Sequence, residues 1–224
     1  MGRRRLVVLL GLALAAATGT EPTAAQFGRA GQTRAMSRMD VRAGVAAALL
    51  RGDAGRFLDD GYGVDASVRL RVDRRERLSL RGDAAWIPLG DNRDEASGRR
   101  GSNRLLVAGG GPDLALRVGW FEPYLRLFGG MVKNYMEVTL ADGTGATDTD
   151  TALAWGAGAG VRVFLAGTRW PVSLDVSGLL VDGGELLFAH APGTTPMPGG
   201  GLQSQLLADV GMVLLSAGLS VGLF

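Results

Sequence analysis

The segment from Tyr62 to Val72 alternates without a fault. Tyr62, Val64, Ala66, Val68, Leu70 and Val72 fall on one parity, and Gly63, Asp65, Ser67, Arg69 and Arg71 on the other. Side chains of a strand point to opposite faces with period two, so this segment is a strand with one apolar face and one charged or glycine face. The pattern recurs along the chain. Leu78, Leu80, Gly82, Ala84 and Trp86 oppose Ser79, Arg81 and Asp83, and Met39 to Leu49 on odd numbers oppose Asp40, Arg42 and Gly44. Leu106, Ala108, Leu114, Leu116 and Val118 oppose Gly109, Gly111, Asp113 and Arg117. Leu125, Leu127 and Met131 oppose Tyr124, Arg126 and Phe128; Leu153 to Val163 oppose Gly156, Gly158, Gly160 and Arg162; Val172, Leu174, Val176 and Leu180 oppose Ser173, Asp175 and Ser177. The last segment, Gln205 to Phe224, has mixed phase. Asp209 faces inward if Leu206, Val210, Met212 and Leu214 face out, and a bulge near Leu215–Gly218 then reconciles Leu219, Val221 and Leu223.

Eight strands follow, joined by connections of two kinds. Asp73–Arg77, Gly119–Glu122 and Ala166–Trp170 are short. Arg51–Gly61, Leu89–Asn103, Asn134–Asp150 and Asp182–Ser204 are long and rich in turn residues, with Asp142-Gly143-Thr144-Gly145 the best tip turn. Short turns at one end and long loops at the other are the asymmetry of an outer-membrane barrel.

The N-terminus reads as an address. Arg3-Arg4-Arg5 precede an apolar run from Leu6 to Ala17, then Gly19, Pro22 and the small residues Thr23 and Ala25. That order is a secretory signal, with cleavage after Ala25 or, as the runner-up, Ala17. The run is too short to span ~30 Å of hydrocarbon as a helix. The expected domains are a cleaved signal over 1–25, a linker over 26–37 and a barrel over 38–224. Formal net charge is +2 from 24 basic and 22 acidic residues, but removing 1–25 leaves 21 of each. The mature chain is neutral, and the case for nucleic acid disappears with the leader.

Period alone does not say which face is inside. A soluble barrel buries the apolar face, and a membrane barrel inverts it. Three features favour inversion. The charged face carries many of the 36 glycines, which weaken a solvent-facing strand but make room for long arginines inside a narrow barrel. The expected inward charges nearly balance: Arg42, Arg69, Arg71, Arg81, Arg117, Arg126 and Arg162 against Asp40, Asp65, Asp83, Asp113, Asp175 and Asp209. Trp120 and Trp170 fall in short turns and Trp86 and Trp155 toward the long loops, as two aromatic girdles would.

Glu122-Pro-Tyr-Leu-Arg-Leu-Phe-Gly-Gly130, the glycine-rich Gly156-Ala-Gly-Ala-Gly-Val-Arg162 and the terminal Phe224 resemble the small OmpA/OmpX-type outer-membrane β-barrel proteins of Gram-negative-type bacteria. The resemblance covers about Arg38 to Phe224. It implies an all-β, eight-stranded, antiparallel up-and-down transmembrane barrel with short periplasmic turns and long extracellular loops. It also implies outer-membrane lipids and lipopolysaccharide as surroundings. Barrel-assembly machinery and periplasmic chaperones are implied as biogenesis partners, the machinery reading Phe224. Gly222 departs from the family's large apolar residue at that place and makes the assembly signal weak or shifted.

Little in the chain supports chemistry. There is no Cys, and the one His, His190, lies in a long loop with no Ser within three residues, so nucleophilic catalysis lacks a base. Asp142, Asp148 and Asp150 lack the spacing of a calcium loop. Arg93, Arg99 and Arg100 beside Asp91, Asp94 and Glu95 form a solvated loop or touch lipopolysaccharide phosphates. Gly109-Gly110-Gly111-Pro112 is no phosphate cradle; Pro112 means a bulge or interrupted pairing. The expected protein is a non-enzymatic, cofactor-free outer-membrane barrel with a plugged polar lumen and a structural or surface-binding role. A small passive transporter and a secreted soluble ligand-binding barrel are the alternatives.

Overall fold

A computed structural model describes residues 38–73, 77–94, 98–139, 143, 145–166, 170–189, 195–196, 202–203 and 206–223. Eight long strands carry the fold: β1 Met39–Arg51, β2 Gly61–Arg71, β3 Leu78–Pro88, β4 Arg99–Ala115, β5 Phe121–Thr139, β6 Gly145–Ala166, β7 Val172–Phe188 and β8 Leu206–Leu223. Each pairs antiparallel with its sequence neighbour, and β1 pairs with β8 over its whole length, from Met39↔Leu223 to Arg51↔Gly211. The sheet closes into an up-and-down barrel. A short strand, Asn92–Asp94, extends β4 as a hairpin arm, and a helical turn, Ala54–Phe57, stands in the β1–β2 loop.

The outside is apolar. Val45, Val64, Leu80, Leu114, Leu125, Leu127, Leu153, Leu180 and Leu219 are all more than half exposed, while Arg42, Arg69, Arg81, Asp113, Glu122, Arg126, Arg162 and Asp175 are buried. Nine or more tilted residues, as from Leu78 to Trp86, make a band of about 25 Å. No water-soluble fold gains from this inversion. Lipid against the outer face does.

Strands run further than periodicity alone suggests. β5 starts at Phe121 and so includes Glu122, and β5 and β6 extend to a tip at Thr139 and Gly145. Pro112 interrupts the β4–β5 pairing, which resumes at Asp113↔Arg126 in the same register. The bulge expected near Leu215–Gly218 lies instead between Asp209 and Gly211, opposite Gly183 and Gly184, with Gly184 at φ +61°. β8 therefore keeps one phase: Ala208, Val210, Met212 and Leu214 face in, and Leu219 and Asp209 face out.

That phase corrects Asp209, which was expected inward: it stands on the outer face beside the bulge, above the apolar band. Arg117 is a second correction. β4 ends at Ala115, so alternation no longer aims the next residues, and Arg117 is exposed with its guanidinium 4.4 Å from the Phe164 ring centroid.

Glycine's role also differs from expectation. A Cβ on Gly44, Gly111, Gly130, Gly156 or Gly218 would meet a backbone carbonyl oxygen of the neighbouring strand at 2.2–2.4 Å. These glycines let strongly coiled strands approach one another. At others an interior side chain fills the space: Tyr124 against Gly160, Phe128 against Gly109 and Ile87 against Gly61.

Candidate functional site: the barrel interior

Each strand changes character along its inward face, from polar at the short-turn end to apolar at the long-loop end. β3 runs Ser79, Arg81, Asp83, Ala85, Ile87, and β8 runs Ser220, Gly218, Ser216, Leu214, Met212, Val210. The interior thus has two tiers.

The lower tier is an ionic lattice. Arg162 on β6 is its hub: Nη2 donates to Asp113 Oδ2 at 2.7 Å, Nε to Asp175 Oδ2 at 3.0 Å, and Nη1 to Glu122. Its guanidinium also lies 4.1 Å from the Tyr124 ring centroid. Arg69 bridges Glu122, at 2.6 Å, and Asp40, with Nε at 2.8 Å. Arg71 reaches Asp40 at 3.2 Å. Arg81 and Arg126 share Asp83 Oδ1, each at 2.8 Å. Tyr124 accepts from Arg81 at 3.0 Å and donates to Asp175 at 2.8 Å. Arg42 pairs with Asp65 and approaches Asp175 at 3.6 Å.

Of the residues expected in the lumen, Asp40, Arg42, Asp65, Arg69, Arg71, Arg81, Asp83, Asp113, Arg126, Arg162 and Asp175 meet here. Glu122 and Tyr124 complete the lattice. Glu122 reads as part of a turn before Pro123, yet it shares parity with Tyr124 and Arg126, and that parity was the available signal. With Glu122 in and Arg117 and Asp209 out, six arginines face six carboxylates. Buried charges tolerate removal from water only when so paired. A gap of about 10 Å³ touches Asp65, Asp83, Arg126 and Ser216, which is room for about one water.

The upper tier is a hydrophobic core, which alternation does not reveal because both faces of the strands are apolar there. Ile87, Leu105, Val132, Leu179, Val181, Val210 and Met212 are 0–1% exposed. Above it β7 leaves β6: their pairing ends at Trp155↔Asp182, and beyond the Gly183–Gly184 bulge β7 pairs only with β8 among the described strands. The freed edge is met by side chains of β4, β5 and β6 that point into the barrel. Leu187 N–H donates to Asp150 Oδ2 at 2.8 Å, and Leu187 O accepts from Asn134 Nδ2 at 2.8 Å. Asn103 takes both backbone groups of Ala189, each at 3.0 Å, and Asn134 also donates to Asn103 at 3.1 Å. Phe188 and Ala189 are fully buried, Phe188 in the upper core and Ala189 in a small cluster with Met136, Val138 and Ala146. His190, Asp142 and Phe224 lie outside the described residues.

On the outer wall, Trp86 (37% exposed) packs on Tyr135 with ring centroids 5.2 Å apart, and Trp155 is 68% exposed. At the short-turn end Trp120 stacks on Phe121 at 3.7 Å and Trp170 is 42% exposed.

A closed eight-stranded barrel with charges inside and an apolar belt outside is an integral membrane barrel. Residues 6–186 match the outer membrane protein beta-barrel domain family, and the chain belongs to that family. The protein is a bacterial outer-membrane barrel. No curated protein sequence matches it. Among solved structures it is similar to Neisserial surface protein A (18% identity, TM-score 0.57, covering 84% of this chain and 98% of that one). It is also similar to Ail, the attachment invasion locus protein of Yersinia pestis (16% identity, TM-score 0.50, 83% and 99%). The same protein in complex with the heparin analogue sucrose octasulfate aligns at 18% identity and TM-score 0.50, covering 83% and 99%.

Proposed function

We propose that this barrel is non-enzymatic, with a sealed interior and a structural or surface-binding role at the cell exterior. The observation that carries this reading is the two-tier filling. An ionic lattice spans the lower lumen, an apolar core fills the upper lumen, and the end of β7 crosses the mouth. An eight-stranded barrel is about wide enough for its own side chains. The planar-bilayer test is direct: reconstituted protein gives no unitary conductance steps above background, whereas reproducible steps overturn the sealed interior in favour of a small channel.

The absence of enzymatic activity rests on sequence: no Cys and a lone His. A surface-binding role draws support from Ail, the attachment invasion locus protein, which has been solved in complex with the heparin analogue sucrose octasulfate. Residues 1–25 act as the export signal in this reading, cleaved near Ala25, and N-terminal sequencing of membrane-extracted protein checks that. Assembly machinery, periplasmic chaperones and lipopolysaccharide remain its partners, with the lumen lattice a structural device and the tryptophans interface anchors.

A further inference from the structure

Charge is sorted along the barrel axis. The long connections, 52–60, 89–98, 140–144 and 189–205, carry seven acidic residues against two arginines. The short connections, 72–77, 116–120 and 167–171, carry five arginines against two acidic residues. The lumen lattice between them is balanced. The connections therefore make the extracellular end negative and the periplasmic end positive.

Among the described residues of the positive end, Arg77 and Arg117 are exposed and lie close in the fold. Ala115 N–H donates to Arg77 O at 2.7 Å, which ties the start of β3 to the end of β4, and Arg117 follows two residues on. The turn carrying Arg117 is tight. Val118 and Phe121 exchange both backbone hydrogen bonds, at 2.8 and 3.1 Å, and Gly119 takes φ +62°. The guanidinium lies over the Phe164 ring, and Phe164 N–H in turn donates to Trp120 O at 2.9 Å. The neighbours of these arginines fix their depth. Val72, Leu78, Leu116, Val118 and Trp120 are 42–59% exposed on the same connections and strand ends. A turn dipping into aqueous periplasm gains nothing from that surface, whereas lipid covers it. The two cations thus stand at the boundary of hydrocarbon and headgroups, where tryptophan also settles.

We infer that this rim selects acidic glycerophospholipids of the periplasmic leaflet, with Arg77 and Arg117 on the headgroup phosphate. Stacking on Phe164 uses the face of the Arg117 guanidinium and phosphate recognition uses its edge, so the two contacts are compatible. A net negative headgroup gains from the surplus of arginine, while a zwitterionic one brings its own cation. A soluble anion or an anionic wall polymer would leave Leu116, Val118 and Trp120 uncovered.

The inference rests on the membrane setting of the barrel and is independent of whether its lumen conducts or its loops bind a partner outside. The test is lipid selectivity of the full-length refolded barrel in phosphatidylcholine vesicles doped with spin-labelled phosphatidylglycerol or spin-labelled phosphatidylcholine, read as the motionally restricted fraction of each. Phosphatidylglycerol is expected to be held about fivefold more tightly at low salt, the gain of one arginine at an anionic surface, and the preference to shrink at high ionic strength. R77Q/R117Q loses the preference, R51Q/R56Q at the opposite end keeps it, and the unboiled-gel mobility of each confirms a closed barrel. Equal retention of the two lipids overturns the inference. So does an unchanged preference in R77Q/R117Q or an equal loss in R51Q/R56Q. Sedimentation with purified peptidoglycan that depends on Arg77 and Arg117, without lipid preference, would assign the rim to the wall instead.

Discussion

The carboxamide of Asn103 pairs with the backbone of Ala189 as a neighbouring strand would, its Nδ2 donating to the carbonyl and its Oδ1 accepting the N–H, both at 3.0 Å. Once β7 has left β6, Asn103, Asn134 and Asp150 take the place of the missing strand and hold residues 187–189 across the mouth. Thr149 and Thr151 on β6 have their own N–H groups covered by Asp148 and Asp150, so that edge is blunted against pairing with another chain.

Asn103→Ala leaves the N–H and the C=O of Ala189 buried without these partners. At about 1–3 kcal/mol for each such group, the segment opens more often. Amide hydrogen exchange at Leu187 and Ala189 is expected to accelerate at least tenfold, while amides of β1 and β2 are unchanged. Uniform acceleration over the barrel would mean that Asn103 matters to global stability and not to the mouth.

Arg162→Met removes the hub of the lattice. Asp113 then loses the partner of its Oδ2, while Glu122 keeps Arg69 and Asp175 keeps Tyr124. Breaking a buried pair costs about 3–5 kcal/mol, most of it the stranded charge. The urea midpoint in lipid vesicles is expected to fall accordingly, and adding Asp113→Asn to recover part of the loss. If the double variant is no more stable than the single, the penalty does not come from Asp113.

Gly130 and Gly129 are adjacent and opposite in consequence. A Cβ on Gly130 meets Ala108 O at 2.2 Å, and one on Gly129 meets nothing within 4 Å. Gly130→Ala is therefore expected to unseat the β4–β5 contact and weaken or abolish the heat-modifiable band on unboiled gels. Gly129→Ala stays within about 0.5 kcal/mol of wild type. Similar behaviour of the two variants would count against close strand approach as the reason for glycine at Gly130.

Legibility in the sequence followed the physics of alternation. Within the strands, where one parity is apolar and the other charged, as in Tyr62–Arg71, the face assignment read from sequence is the one in the structure, and the lattice arginines fall on it; past the end of β4, at Arg117, it is not. Alternation is silent where both faces are apolar. Leu105-Leu106-Val107, Leu179-Leu180-Val181 and Val213-Leu214-Leu215 each send residues both to lipid and to the interior, so the upper core has no contrast to reveal it. It also misleads where a strand contains loop-like residues: Asp182-Gly183-Gly184-Glu185 reads as a loop start but is a bulge that re-aims β7. Asn103 and Asn134 look like loop residues until the strand end they hold is in view.

The sharpest test of the inverted barrel lies on its outer wall. Leu127 is 61% exposed near the middle of the band on β5, between Trp120 and Tyr135. On the surface of a soluble barrel Leu127→Arg would be neutral or would improve solubility. In a bilayer it sets a guanidinium near the midplane, which costs a transmembrane barrel about 2–4 kcal/mol, falling toward zero at the interfaces. Thr149→Arg, outward on β6 above the band, is the matched control. Urea unfolding in vesicles is expected to show a loss of that size for Leu127→Arg and almost none for Thr149→Arg. Equal midpoints for the two would remove lipid from the outer face and, with it, the membrane assignment of the apolar belt.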